Sequence, residues 1–357
     1  MQTCTTRVGC SFDDKDGCTL YYNPPVVILR LFRNGEPQNG ERCYSFFRIM
    51  NSEVILIVTP VFLVIGLGYF LKLIGLAQAG FTFELNRFVY YVALPLLLFY
   101  KIGGADFTKS FNGLLLLGLT ASTILTAIVS YWYGFLRKFR TEVLGTFSQG
   151  AFRGNLVYIG LAIAHNAYGE LGLATAGIIS GFIVPLFNVL SAIVLSLPHN
   201  KSSRIGRPNI WVEQLLRNPL IIASFCGICW SYYKVPFPPV IDQFLLIVTG
   251  MSLPLALLSI GASFSLVKIR GDLRVGIEAT LFKTLFKPFA AVLLLTLFGV
   301  TGYELAIGVL LAGAPTATAA YIMAQHGRGD AELTASIIML STLFSIITYS
   351  IILSLLY

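Results

Sequence analysis

The chain has 357 residues, of which 56% are hydrophobic and 12% charged, and its mean hydropathy is +0.77. Soluble proteins carry about 25% charged residues, so this composition excludes an ordinary soluble domain and predicts a chain embedded in a lipid bilayer. The formal net charge of +8 would suggest nucleic-acid binding in a soluble protein. Here the basic residues lie in short loops between apolar segments, which is a topology signal, and we expect no nucleic-acid partner.

The first 49 residues differ from everything that follows. They contain six Lys/Arg, five Asp/Glu and four of the six cysteines. They lack the basic start, the apolar core and the small-residue cleavage site of a signal peptide. We predict that Met50 is the natural start and that residues 1–49 come from an over-extended reading frame. The alternative is a disordered, cysteine-bearing extension.

Ten segments are apolar enough to cross a bilayer, for which about 20 residues are needed. We predict an all-α polytopic membrane protein with a first five-span unit at 50–200, a cytoplasmic linker at 201–210 and a second five-span unit at 211–357. The ten predicted spans are 54–74, 84–101, 112–135, 143–164, 170–197, 211–233, 239–265, 273–300, 303–325 and 331–356.

The two units repeat one another. When residues 60–197 are shifted by 159 positions without a gap, prolines and glycines coincide: Pro60 with Pro219, Gly68 with Gly227, Pro95 with Pro254 and Gly154 with Gly313. Each unit contains an odd number of spans, so the second must be inverted relative to the first. Many secondary transporters are built from inverted repeats of this kind.

The basic residues predict the orientation of the chain. The odd-numbered connections and their adjoining helix ends hold twelve Lys/Arg, whereas the even-numbered connections hold only Lys101, Lys109 and Lys234. Because Lys and Arg concentrate in cytoplasmic loops, we expect both termini to be extracytoplasmic.

Spans four and nine are poor continuous helices. Span four has glycines at 145, 150 and 154 with polar residues between them, and span nine contains Gly308, Gly313 and Pro315. Proline removes a helical hydrogen bond and disfavours a helical residue before it. Interrupted backbone at membrane depth survives only when it is buried in protein or lines a wet cavity. Matching interruptions in two repeats therefore predict the binding site of a transporter.

The residues at the interruptions suit an anion. Asn155 is a good N-cap and Pro315 a good first-turn residue, so two half-helix N-termini would present free N–H groups to a carboxylate. The predicted substrate contacts are Asn155, Gly154, Pro315, Thr316, Thr318 and Lys283. The alternative is that these residues form ordinary kinks between tightly packed helices.

Few ionisable residues lie inside the predicted spans. Lys283 and Lys287 lie roughly 15–21 Å into span eight and share one helix face. We expect Lys283 to draw in the anion or to hold the carbonyl groups of a broken helix. Lys287, Arg153 and Glu278 are candidates for coupling or support. Basic residues at this depth favour an anionic substrate, since buried charge usually faces a cavity.

Cysteine and histidine add little. Cys226 and Cys229 lie inside an apolar span, which favours packed core side chains over a redox or zinc site. We predict no metal site and no cofactor. The absence of paired aspartates in the spans makes a proton, or the membrane potential, a better driving force than sodium.

Several stretches resemble the auxin efflux carrier family in its compact bacterial form. They are Leu85–Phe99, Arg153–Leu161, Asn218–Ala223, Lys283 with Pro288, and Ala312–Ala319. The resemblance implies ten spans in two inverted repeats, an NhaA-like fold with a crossover of broken spans four and nine, and transport of organic anions such as auxin, malonate or malate. It also implies that Asn155 contacts the substrate and that Lys283 is the lysine of span eight.

Two departures from the family pattern limit what the resemblance implies. Ala162 stands where the family often has proline, and the long hydrophilic loop of the plant auxin carriers is absent. Auxin transport as such is therefore not implied.

The sequence predicts a secondary transporter of a small organic anion in the cell membrane rather than an enzyme, since no paired carboxylates or activated nucleophile lie in the spans. The alternative is a transporter-like membrane sensor for an organic acid. The expected partners are the substrate and the lipid bilayer, with a homodimer left open.

Overall fold

The computed structural model describes residues 52–105, 111–199, 218–264 and 273–356, and within these ranges the regular structure is helical. The predictions for residues 1–49 and 201–210 lie outside the described residues. In chain order the α-helices of the described ranges are α1 (Ser52–Leu73), α2 (Ala79–Phe88), α3 (Leu94–Gly104), α4 (Gly113–Leu136), α5 (Thr141–Phe152), α6 (Leu161–Ser196), α7 (Pro219–Tyr232), α8 (Pro239–Gly250), α9 (Ser252–Ser263), α10 (Leu273–Leu281), α11 (Lys287–Leu297), α12 (Gly302–Gly313), α13 (Ala319–His326) and α14 (Ala331–Leu356).

Three π-helical turns interrupt or precede these helices. They lie at Val89–Ala93 between α2 and α3, at Leu156–Gly160 before α6, and at Phe282–Phe286 between α10 and α11. A π-turn adds a residue to the helical ladder, and such turns occur frequently at functional sites.

Short polar side chains begin several of the helices. The Asn112 side chain accepts hydrogen bonds from the N–H groups of Leu114 and Leu115 at 2.8 and 3.1 Å, which starts α4. Asn218 accepts from the N–H of Leu220 at 3.0 Å, and Pro219 follows it in the first turn of α7. Both sites use the usual N-terminal chemistry of an asparagine cap. In α7 the proline stands where its missing N–H costs nothing.

Seven helical segments of the described residues are long and apolar enough to cross a membrane. They are Val54–Leu73, Gly80–Gly104, Gly113–Leu136, Leu156–His199, Pro239–Ser263, Leu273–Leu297 and Ala331–Leu356; Pro219–Tyr232 and Gly302–Gly313 are apolar but shorter. The predicted spans four and five are joined differently from the prediction. Between their helical parts, Gly169 has non-helical backbone angles (φ 60°, ψ −147°), so α6 is divided there into two helical parts with almost no loop between them.

The helices pack in two groups. In one, which we call the flanking group, α1 packs on α9 and α3 on α7. In the other, the central group, α4 packs on α5 and α11, α5 also contacts α6, α10 and α14, and α12 contacts α11 and α6. Each group combines helices from before and after the linker. The central group contains both interrupted spans.

Glycine allows the helices of the flanking group to touch through their backbones. A Cβ added at Gly68 would lie 2.2 Å from the carbonyl oxygen of Leu258, and one at Gly261 would lie 1.9 Å from that of Ile65. Small residues at a helix crossing permit this approach inside a membrane, where van der Waals packing drives association. Because α1 and α9 come from different repeats, this contact ties the two repeats together.

The cysteine prediction is wrong in part. Cys226 is exposed on the surface of the helix bundle and Cys229 is half-buried, so neither is a packed core residue. They lie three residues apart on α7, next to the exposed apolar side chains of Ile222 and Phe225.

Candidate functional site

Both predicted interruptions are present as breaks in helical structure. Helix α5 ends at Phe152, after which Arg153 is extended (φ −76°, ψ 102°) and a π-turn begins at Leu156. Helix α12 ends at Gly313, Ala314 is extended (φ −57°, ψ 133°), and α13 begins only at Ala319. The second break is the longer because Pro315 lacks an N–H and disfavours a helical Ala314.

The two breaks meet in a short antiparallel pairing, which we call the crossing (residues 153–155 and 314–318). Gly154 lies opposite Thr316. The Asn155 N–H donates to the Pro315 carbonyl at 2.6 Å, and the Ala317 N–H donates to the Arg153 carbonyl at 3.1 Å. Peptide groups that leave their helices therefore bond to each other, which satisfies them where water is scarce.

Two lysines of one span cap the helices that end at the crossing. The Lys283 amino group donates to the Ala312 carbonyl at 2.8 Å, and the Lys287 amino group donates to the Phe152 carbonyl at 2.5 Å. Their exposed fractions are 0% and 1%. A helix C-terminus has unpaired carbonyl groups and a partial negative charge, so a donating amino group there stabilises the break. Each lysine thus serves one of the two broken helices.

The N–H and the hydroxyl of Thr316 both donate hydrogen bonds within the protein. Its N–H donates to the Ser341 hydroxyl at 3.0 Å, and its own hydroxyl donates to the Gly150 carbonyl at 2.8 Å. The side chain is fully buried. These bonds hold the second break between α14 and α5.

Arg153 reaches from the first break to α6. Its guanidinium donates to the Ser191 hydroxyl at 3.1 Å and to the Asn188 side-chain carbonyl at 2.8 Å. Its Nε is buried without a hydrogen-bond partner, and the residue is 5% exposed. Among the described residues no carboxylate pairs with Arg153, Lys283 or Lys287. The crossing therefore has three basic side chains around it whose charge no described carboxylate balances.

Two details of the sequence prediction are wrong. The Asn155 side chain makes no capping hydrogen bond. The backbone carbonyl of Asn155 accepts hydrogen bonds from the N–H groups of Ile159 and Gly160 at 3.3 and 3.0 Å, because a π-turn rather than an α-turn follows. Pro315 lies outside helical structure and precedes the resumed helix by four residues, so it is not in a first helical turn. Thr318, at the start of α13, is half-buried and makes no capping side-chain bond.

Glu278 does not contribute to the crossing. Its carboxylate pairs with Arg137 at 3.4 Å and Arg274 at 3.3 Å, and accepts a hydrogen bond from the Tyr133 hydroxyl at 3.2 Å. The side chain is 18% exposed, so this network lies at the edge of the bundle. Glu278 lies in the second turn of α10, one to two turns before the lysine pair.

Sequence reasoning missed two polar residues beside the crossing. Gln149 is fully buried one turn before Arg153, and neither polar atom of its side chain has a partner in the described structure. Tyr90 lies in the π-turn Val89–Ala93, close enough to Arg153 to interact electrostatically. Gln149 belongs to the polar run of span four and could have been found there, whereas Tyr90 carries no sequence signal.

The described residues contain no group of three or more His, Cys, Asp or Glu that could hold a metal ion. A groove of about 410 Å³ lies on the flanking group between α3 and α7 and is lined by apolar residues such as Pro95, Phe99 and Pro219. It contains no residue of the crossing.

Residues 53–204 and 208–353 match the family model described as membrane transport protein. The chain belongs to this family. It is the auxin efflux carrier family that the sequence resembles, and with seven candidate spans the protein is a multi-pass membrane protein.

Three relatives have similarity along most of their length. An uncharacterized transporter of Methanocaldococcus jannaschii is 25% identical over 301 residues, covering 83% of this chain and 95% of the relative. An uncharacterized transporter of Methanothermobacter thermautotrophicus is 22% identical over 292 residues, covering 82% and 94%. A Rhizobium meliloti protein, whose name proposes malonate transport, is 24% identical over 306 residues, covering 83% and 94%.

Proposed function

We propose that this protein is a secondary transporter that moves a small organic anion across the cell membrane by alternating access. The substrate class is a mono- or dicarboxylate such as malonate or malate, or an auxin-like acid. The observation that carries the proposal is the crossing, in which two interrupted helices pair through their backbones beside three buried basic side chains.

The choice of an anion follows from the charges at this depth. Ionisable groups inside a membrane usually face a partner or a cavity. Arg153, Lys283 and Lys287 have no carboxylate partner in the described parts of the chain, so a bound carboxylate would balance them. The proposed name of the Rhizobium meliloti relative supports the same class of substrate.

The proposed architecture has ten spans in two inverted five-span repeats, on an NhaA-like scaffold, with both termini extracytoplasmic. Support comes from the two groups of helices, each of which combines both repeats, and from the backbone pairing of Gly154 with Thr316. In transporters of this kind, one group moves against the other around a binding site near the midplane.

The residues of the crossing divide into two proposed roles. Asn155 contacts the substrate, because its side chain is 4% exposed and caps no helix. Gly154 lies directly beside Lys283, since an added Cβ would be in van der Waals contact with the lysine Cε at 3.6 Å. Thr316, Pro315 and Lys283 hold the crossing, and Thr318 lies at its half-buried edge.

We further propose coupling to protons, or movement driven by the membrane potential, in preference to sodium. The preference rests on the carboxylates of the spans, because the sequence has no aspartate pair there that a dedicated sodium site could use. The carboxylate nearest in sequence to the lysine pair is Glu278, which is engaged with two arginines.

The test is counterflow of labelled malonate, malate and monocarboxylates into proteoliposomes containing residues 50–357, at several pH values and with or without sodium. Saturable uptake of a carboxylate above that of empty vesicles is expected. Binding of a carboxylate without uptake of any acid of the panel would contradict transport and favour the sensor. Chemical conversion of a bound acid would instead favour an enzyme.

A further inference from the structure

Arg153 differs from the two lysines in what its polar atoms do. Both lysine amino groups donate to carbonyls that end helices, and their exposed fractions are 0–1%. Arg153 also donates two hydrogen bonds, but its Nε has no partner although the residue is 95% buried. A buried unpaired donor is costly, so its presence at the crossing indicates a group that bonds to it in another state.

Arg153 lies where the two groups of helices meet. It belongs to the central group, together with Asn188 and Ser191 of α6, which accept its hydrogen bonds. Tyr90 lies in the π-turn Val89–Ala93, which leads directly into α3 of the flanking group, and it is near enough to Arg153 for an electrostatic interaction. Helices α3 and α6 pack against each other along this boundary. Tyr90, Tyr158 and Asn188 are half-buried, whereas Arg153 is nearly covered.

We propose that Arg153 binds the carboxylate of the substrate at this boundary, with Tyr90 as the second donor, and that Lys283 and Lys287 are positioning residues which only hold the crossing. This inference rests on the proposed transport of an organic anion. It names Arg153 as the charged group that recognises the anion.

The chemistry of the side chains supports this division. A guanidinium keeps its charge in a protein interior and presents parallel N–H groups that match a carboxylate, whereas a buried lysine readily gives up its proton. The arginine also offers Nε, which lies beside its terminal nitrogens and is free. A lysine that donates to a helix-ending carbonyl cannot turn to a ligand without releasing that carbonyl.

A carboxylate held in this place would touch both groups of helices. It would bond Arg153 in the central group and the Tyr90 hydroxyl in the flanking group. Because the carboxylate bonds to both groups, the contacts between the groups differ between the occupied and the empty protein. A ligand shifts a conformational equilibrium only when it interacts differently with the two conformations, and these contacts supply such a difference.

The experiment measures dissociation constants for malonate and a panel of mono- and dicarboxylates with purified protein, alongside counterflow. The variants are Arg153→Gln, Arg153→Lys and Tyr90→Phe. The control is Arg87→Gln, since Arg87 is 65% exposed and pairs only loosely with Glu84 at 3.8 Å. Gel filtration and thermal unfolding establish that each variant is folded.

Loss of a charged hydrogen bond raises a dissociation constant by about tenfold to a hundredfold, which is the result expected for Arg153→Gln. Arg153→Lys should fall between that variant and the wild type, and Tyr90→Phe should weaken binding about fivefold. Arg87→Gln should bind like the wild type. Lys283→Met and Lys287→Met should lower the unfolding temperature, while the protein that remains folded binds normally.

Folded Arg153→Gln with wild-type affinity would overturn the assignment and leave transport intact. If that variant does not fold, unchanged affinity in both Arg153→Lys and Tyr90→Phe would overturn it. Wild-type protein that binds but does not transport would contradict the proposed function alone. Wild-type protein that binds no acid of the panel would contradict both.

Discussion

The two breaks of the crossing are built alike and used differently. Each ends a helix whose carbonyl accepts from a lysine, and each pairs with the other through its backbone. In the second break, both the N–H and the hydroxyl of Thr316 are bonded inside the protein. In the first, Arg153 keeps an unpaired Nε and the Asn155 side chain caps nothing. We infer that the second break anchors the crossing and the first recognises the ligand.

Removal of the lysine caps, which both breaks share, should give the largest effect on the free energy of unfolding. The double variant Lys283→Met and Lys287→Met keeps side-chain length but removes both donors to the buried carbonyls of Ala312 and Phe152. A hydrogen bond from a charged donor contributes about 1.5–3 kcal/mol, so the free energy of unfolding should fall by about 3–6 kcal/mol. Because the double variant no longer buries two amino groups, part of this loss is offset, and the decrease in the free energy of unfolding should lie near about 3 kcal/mol.

Thermal unfolding in detergent, followed by gel filtration, measures this change. Lys101→Met is the matched control, because Lys101 is 18% exposed and pairs at 2.8 Å with Glu170, a residue 64% exposed. A double variant as stable as the wild type would mean that the helix ends do not depend on the lysines.

The second prediction concerns recognition by the first break. Asn155→Ala should weaken carboxylate binding about tenfold, because one side-chain hydrogen bond to a charged group is lost. The unfolding temperature should stay unchanged, since this side chain caps no helix. Equilibrium binding and thermal unfolding of the same preparation test both parts.

Asn166→Ala is the control for this prediction and should have the opposite effect. The Asn166 side chain donates to the Ile57 carbonyl at 3.1 Å and joins α6 to α1. We expect lower stability with normal affinity. If Asn155→Ala instead lost stability and kept its affinity, the first break would be an anchor like the second.

The third prediction concerns anchoring by the second break. Thr316→Val keeps the shape of the side chain and removes its bond to the Gly150 carbonyl. The free energy of unfolding should fall by about 1 kcal/mol, and affinity for the carboxylate should change by no more than about twofold. Denaturation and binding curves measured together decide this. A large loss of affinity would place Thr316 in the ligand site.

The smallest effect is expected outside both breaks. Glu278→Gln removes ion pairs with Arg137 and Arg274 at the partly exposed edge of the bundle. Such pairs contribute less than about 1 kcal/mol. Transport rates measured between pH 5 and 8 should follow those of the wild type. A changed pH profile would restore Glu278 as a coupling residue.

Much of this arrangement could be predicted from the sequence. The repeat of 159 residues aligns Gly154 with Gly313, and Pro315 cannot continue a helix, so both breaks were expected where they occur. Their pairing follows from the same physics, because free peptide groups at membrane depth need partners. Apolar length also predicts spans, and seven candidate spans lie in the described residues where the sequence placed them.

The roles of the individual side chains could not be predicted in the same way. The spacing of Lys283 and Lys287 places them on one face of a regular helix. Lys283, however, lies inside the π-turn Phe282–Phe286 and Lys287 follows it, so the π-turn changes the angle between the two side chains. They therefore reach carbonyls of two different helices. Asn155 was expected to cap a helix, and a π-turn again changed the outcome. No local pattern marks a π-turn in these sequences.

The bond between Lys287 and Phe152 has a consequence for biosynthesis. The two residues are 135 positions apart, so the ribosome needs about 7–27 seconds to add the intervening chain at 5–20 residues per second. Throughout that interval the nascent first break has neither its lysine nor its partner strand. The crossing can therefore form only after residues 287 and 314–318 have been synthesised, and until then the peptide groups of the first break need water or another temporary partner.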